Sequence, residues 1–324
     1  MMNKSMTETG VMKGATNGAR KGTKKGTKWG KAEMVFAMLL SGTLGVFVSE
    51  SGQSALNVVF YRCLFGVLFL GTYAGLRGYL RFESLSRKDW FLTLTGGIAL
   101  VANWCLLFAS FSYAPMGVST VAYHVQPIFV MVLAVVFLRE TFAIQNWLWI
   151  ALAFAGVVMI VGLDVSQANE GFMLGVLLSI SAACLYAITT LITRQLKHIK
   201  PHLIATIQLS IGALILFVIA PLDDVPVAGE HWYWLLALGL LHTCIMYIFM
   251  YSAFQKLETS MLAVLAYIYP VVAVLVDYWV YGNVITGWMA MGILAILFAG
   301  FAMNHGLTLQ QIGGALVGKK KQTC

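Results

Sequence analysis

Ten apolar stretches follow one another along this chain, at 32–50, 55–76, 91–113, 117–138, 145–163, 171–193, 202–220, 232–253, 260–281 and 286–305, with short polar gaps between them. Each is close to the roughly 20 residues that carry an α-helix across a hydrocarbon core. Backbone groups in lipid must be satisfied within their own segment, so long apolar runs joined by short gaps predict antiparallel helices. The runs lack period-two alternation and are about twice the length of a barrel strand, which argues against a β-barrel. The predicted fold is an all-α membrane protein with ten transmembrane helices.

The polar positions give the direction of those helices. Of the 21 Lys and Arg residues, 20 lie in the terminal tails and every second gap. Eight precede the first run. Arg77, Arg81, Arg87 and Lys88 follow the second, Arg139 the fourth, Arg194, Lys197 and Lys200 the sixth, Lys256 the eighth, and Lys319, Lys320 and Lys321 the tenth. The alternate gaps hold acids instead, among them Asp164, Glu170, Asp223, Asp224 and Glu230. By the positive-inside bias both termini are cytoplasmic and the helix number is even, with the inner (plasma) membrane as the expected location. Residues 1–31 have no apolar stretch before Ala32 and are expected to form a disordered basic tail rather than an ordinary cleavable leader. Such a tail gains up to about 1 kcal/mol per basic residue near anionic headgroups. Residues 307–324 form a second cytoplasmic tail.

Composition agrees with a bilayer: 60% of residues are hydrophobic and only 10% charged, against about 25% charged in soluble domains. The net charge of +8 reflects loop topology and implies no nucleic-acid partner. Cys63, Cys105, Cys184 and Cys244 lie within apolar runs without metal-ligand spacing, and Cys324 is terminal. No phosphate-binding loop, His-Glu-x-x-His or cysteine pair occurs, so no enzyme chemistry, metal or cofactor is expected. Without an ATP-binding loop, any transport is downhill or ion-coupled.

The halves 32–165 and 166–306 resemble each other. Phe108-Ala109-Ser110-Phe111 matches Tyr251-Ser252-Ala253-Phe254, and Pro127 matches Pro270, both at an offset of 143 residues. Phe154-Ala155-Gly156 matches Phe298-Ala299-Gly300 at 144, and Arg62-x-x-x-Gly66 matches Gln208-x-x-x-Gly212 at 146. A five-helix unit has an odd number of crossings, so two copies insert in opposite senses as an inverted repeat, an architecture that places substrate near the midplane. The chain also contains Tyr61-Arg62-Cys63-Leu64-Phe65-Gly66, Gln126-Pro127-Ile128-Phe129-Val130, Leu138-Arg139-Glu140-Thr141 and Tyr269-Pro270-Val271-Val272. In these motifs it resembles the drug/metabolite transporter superfamily in its ten-helix EamA-type branch. That likeness implies export or exchange of amino acids and other small metabolites through a central cavity. One departure is Asn283 after Gly282, where the family pattern has Gly-Glu.

Arg62 is the only Lys or Arg inside a run, where insertion costs about 2.5–3.5 kcal/mol, so it needs a partner or water. It either holds a substrate carboxylate or gates the outer side, or is held structurally by an ion pair or a clamp of backbone carbonyls. Asp277, at similar depth in the ninth run, and Glu50, at the end of the first, are the candidate partners and candidate carriers of a coupling proton. Pro127 and Pro270 should bend the fourth and ninth helices by removing a backbone hydrogen bond. Around them Tyr123, His124, Gln126, Tyr267 and Tyr269 are expected to line a substrate cavity, joined by Asn103 and Trp104 in the third run and His242 and Tyr247 in the eighth. Ser41, Thr43, Ser181 and Tyr186 offer hydroxyls, and Met246 and Met250 an adaptable apolar surface.

The expected function is a secondary transporter for a small metabolite, with amino-acid export as the leading case. A lipophilic-cation or drug exporter is the alternative within the class. A membrane-embedded enzyme or lipid-handling protein is the alternative outside it, and would need His124, His242 and Asp277 to converge. The partners expected are a small solute and the lipid bilayer, with monomer and homodimer both open.

Overall fold

The computed structural model describes residues 5–114, 116–162, 171–222, 229–308 and 311, with side chains described from residue 26 onward except those of 84 and 117. Ten helices in it are long and apolar enough to cross a membrane, and no strand occurs among the described residues. They are α1 (Ser5–Glu50), α2 (Ala55–Leu76), α3 (Arg87–Ser110), α4 (Met116–Tyr123 and Gln126–Leu138), α5 (Ile144–Val161), α6 (Phe172–Gln195), α7 (Pro201–Ile219), α8 (His231–Lys256), α9 (Thr259–Ala266 and Ile268–Tyr281) and α10 (Gly287–His305). The acids Asp164, Glu170, Asp223 and Asp224, the junction between the halves and the C-terminal lysines lie outside the described residues.

The helix ends follow local chemistry. Ser86 caps α3 through a reciprocal box with Asp89, the arrangement that satisfies two orphan donors of a first turn. Thr286 accepts from the Met289 amide at the start of α10. At its amino end α1 continues through the basic stretch expected to be irregular, although only Gly26–Glu50 is apolar enough to span. No proline interrupts the chain before position 115, so nothing forces the helix to stop where the hydrophobic run begins.

Helices α3 and α6, α5 and α10, and α2 and α7 pack along one another. Helix α1 packs on α8 and α9, α4 on α6, α3 also on α7 and α2 also on α8. Small residues permit the closest crossings. A Cβ on Gly156 would lie 2.7 Å from the Gly292 carbonyl, and one on Gly292 would lie 2.5 Å from the Gly156 carbonyl, so α5 and α10 meet backbone to backbone. Gly66 of α2 lies under Thr243 of α8, and Gly212 of α7 under Cys63 of α2. The outer surface is apolar, as stripes such as Phe91, Leu94 and Ile98 on α3 and Leu294, Leu297 and Phe301 on α10 show. Helices apolar on both faces belong in lipid.

One end of the bundle, the one carrying the described basic residues, is tied by polar contacts. Glu140, just past α4, forms an ion pair with Arg194 at the end of α6 and accepts from Thr259 Oγ1 of α9 at 2.7 Å. Arg194 Nε also donates to the Leu257 carbonyl at 3.3 Å. Lys256 pairs with Glu33, Lys31 donates to Asn304, and His198 meets Asp89 at 3.1 Å.

Candidate functional site

Proline chemistry builds the centre of the bundle. The ring of Pro127 can neither donate to the Tyr123 carbonyl four residues back nor pack against it without strain, and Pro270 stands in the same relation to Ala266. The first pieces of α4 and α9 end at Tyr123 and Ala266. The predicted bends are therefore local breaks in the helical hydrogen bonding, inside spans that continue across them. In α4 the Ile128 and Phe129 amides both turn to the Val125 carbonyl. The His124 carbonyl accepts instead from Tyr267 Oη across the bundle, at 3.1 Å. The His124 ring stacks on Tyr269 at 5.4 Å and an interplanar angle of 7°. Its Nδ1, 2.6 Å from the Thr120 carbonyl, is the donor there, since a carbonyl can only accept.

A second group adjoins this one. Oriented so that both amide atoms are satisfied, Asn103 donates to Tyr123 Oη at 3.1 Å and to the Ala182 carbonyl at 3.0 Å. Tyr123 lies 6.4 Å from Tyr186, whose hydroxyl donates to Met250 Sδ at 3.3 Å. Trp104 meets Tyr247 edge-on at 6.4 Å, and Tyr247 continues to Tyr251, whose hydroxyl donates to Gln208 Oε1. Gln126 is buried at the start of the second piece of α4.

Arg62 is 4% exposed and stands over the Trp104 ring, its guanidinium carbon 5.3 Å from the centroid. Its partner is unusual. Residues Leu240–Ile245 of α8 form a π turn, a feature frequent at functional sites. The Met246 amide there points to the Leu241 and Thr243 carbonyls rather than to His242, and the His242 carbonyl accepts from Arg62 Nη2 at 3.4 Å. The His242 ring is held by Thr43 Oγ1 at 2.8 Å and packs on Phe47.

The structure thus brings together Tyr123, His124, Tyr267 and Tyr269, and links Asn103, Trp104, Tyr247 and Arg62 to the same centre. These side chains lie between the helices, and Tyr247, Tyr251 and Tyr267 are fully buried. Grooves of about 540 and 400 Å³ lie elsewhere, at the sides of the bundle beside Trp288 and beside Phe301.

The expected ion pair is corrected. Arg62 pairs with neither Asp277 nor Glu50. Asp277 accepts from Asn283 at 2.8 Å and Glu50 from Tyr281 at 3.3 Å, both exposed contacts. Equal depth in the membrane does not bring two helix faces together, and α9 turns Asp277 toward its own end. The convergence required by the enzyme alternative does not occur either: His124, His242 and Asp277 each keep separate partners. Among the described residues no group of three His, Cys, Asp or Glu could hold a metal. Sequence reasoning left the π turn, the Tyr251–Gln208 bond and the Glu140–Arg194–Thr259 network unassigned. Glu140 carried a signal inside Leu-Arg-Glu-Thr, and Gln208 and Tyr251 carried one inside the repeat matches.

The sequence pattern of the EamA-like transporter family matches residues 28–162 and again 173–304. The chain belongs to this family. Relatives of this EamA-like transporter include the protein named uncharacterized transporter YxxF of Bacillus subtilis, 29% identical over 279 residues, covering 84% of this chain and 88% of the relative. Another is named S-adenosylmethionine uptake transporter, from Rickettsia felis, 23% identical over 235 residues, covering 70% of this chain and 75% of the relative. A solved crystal structure superposes with a TM-score of 0.76 at 19% identity over 86% of this chain and 96% of its own, a likeness of fold. The EamA-like transporter is therefore a multi-pass membrane protein.

Proposed function

We propose that this chain is a secondary transporter that binds a small polar or amphipathic metabolite between two inverted five-helix halves and alternates access by rocking one half against the other. Helix packing supports the repeat. Advancing each helix by five turns α3–α6 into α8–α1, α4–α6 into α9–α1 and α3–α7 into α8–α2, while α5–α10 and α2–α7 return to themselves. The double family match points the same way. The observation that carries the reading is the meeting of two broken helices at equivalent positions, where Tyr267 bonds to the His124 carbonyl that the Ile128 amide leaves when it turns to Val125. Substrate sites of inverted-repeat carriers sit at such discontinuous helices near the midplane.

The solute is an amino acid or related compound, exported or exchanged, with both termini cytoplasmic in the inner membrane. One relative is named for uptake of S-adenosylmethionine, an amino-acid derivative, which agrees with the solute class. The test is a metabolite profile of medium from overexpressing cells against an empty vector, followed by counterflow of the enriched compound in proteoliposomes. An unchanged profile together with absent counterflow would refute the transporter reading.

A further inference from the structure

The centre of the bundle contains a cation with an unanswered donor. Arg62 Nε is enclosed without a hydrogen-bond partner, and Nη2 has only the 3.4 Å contact to the His242 carbonyl, longer than the usual 2.7–3.2 Å range. These two groups form one edge of the guanidinium, the edge that a carboxylate engages with both oxygens. Neither expected acid supplies those oxygens, because Asp277 and Glu50 are committed near the exposed ends of α9 and α1. Described carboxylates elsewhere, such as Glu33, Glu140 and Asp89, are occupied at the basic end. An uncompensated buried charge is costly, and a protein retains one where something else completes it.

We propose that the transported solute carries a carboxylate and that Arg62, through Nε and Nη2, is its counter-ion during passage. The proposal rests on the transporter reading and narrows it. Trp104, already against the guanidinium, and the phenols of Tyr123, Tyr186 and Tyr247, within Coulombic reach of Arg62, would surround the remainder of the solute. Aromatic faces accept an apolar group or a substrate ammonium equally well. A lipophilic cation without a carboxylate would meet the repulsion of Arg62 with no paired charge to offset it, which sets this site against the cation-exporter alternative.

The test uses the full-length chain in detergent, with intrinsic fluorescence and thermal stability as readouts. The probes are L-phenylalanine, L-methionine, their carboxamides, and 3-phenylpropionate. The carboxylate probes are expected to bind in the millimolar range or tighter and the carboxamides at least about tenfold more weakly, the scale of a lost charge-assisted pair. Arg62→Gln should erase the difference. Arg62→Lys, which keeps the charge but loses the planar fork, should retain part of it. Equal binding of carboxylates and carboxamides by the unaltered chain overturns the proposal even if Arg62→Gln fails to fold. Binding of no carboxylate probe overturns it as well. If counterflow succeeds with a solute lacking a carboxylate, this proposal falls and the transporter reading stands.

Discussion

Arg139 and Gly282 stand 143 residues apart in the sequence, and each closes its helix, α4 or α9, in the left-handed conformation, with φ of 54° and 71°. The residue after each differs in its connections. Glu140 ties α4 to α6 and α9 through Arg194 and Thr259, whereas Asn283 bonds to Asp277 of the helix it has just left. The residue after the same backbone turn therefore fastens three helices at one end of the bundle and returns to its own helix at the other. This comparison also gives the Gly-Asn departure from the family pattern a physical meaning: Asn283 returns to its own helix, and the cross-helix contact beside it is the exposed hydrogen bond from Tyr281 to Glu50 of α1.

The comparison can be broken by altering each turn in order of expected effect. Glu140→Ala leaves the partly buried Arg194 without its acid, and should cost about 2–3 kcal/mol, below the 3–5 typical of a fully buried broken pair. Thermal unfolding in detergent measures it, and a loss no larger than that of an exposed alanine substitution would remove the distinction between the ends. Gly282→Ala should cost about 1 kcal/mol and Arg139→Gly should gain up to about the same, because only glycine adopts positive φ freely; denaturant midpoints would show the opposite signs. Asn283→Glu places an acid beside Asp277 and should destabilise by about 0.5 kcal/mol or less. A gain comparable with the Glu140 loss would reveal a basic partner at that end. Asp277→Asn should change stability least. Combining Asp277→Ala with Arg62→Ala should restore none of the expression that Arg62→Ala loses, as judged by fluorescence-detected size exclusion.

The ten spans were legible because a helix in lipid must be apolar over its whole length, and each run satisfies that on its own. Pro127 and Pro270 marked the interruptions of α4 and α9, and the missing donor located them four residues upstream. Arg62 stood out as the only Lys or Arg within an apolar run of the sequence. Its relation to Asp277 was not legible, since periodicity gives depth along a helix but not the direction each face takes after packing. The π turn left no trace either: Leu240-Leu241-His242-Thr243-Cys244-Ile245 contains neither Gly nor Pro, and only tertiary contacts select it. The charges of the gaps were read as topology alone, which hid the work of Glu140 and Arg194 within the folded bundle.

The wider loop of α8 has one more consequence. A π turn accommodates roughly one residue beyond a regular turn, which offsets every later side chain by about 100°. Tyr247 and Tyr251 owe their aim to that phase slip. Shortening Leu240–Ile245 by a single residue would leave the span long enough to cross the bilayer, yet swing both phenols away from Trp104 and Gln208 and withdraw the carbonyl that steadies Arg62. Correct insertion and an intact interior are thus separable properties of this helix.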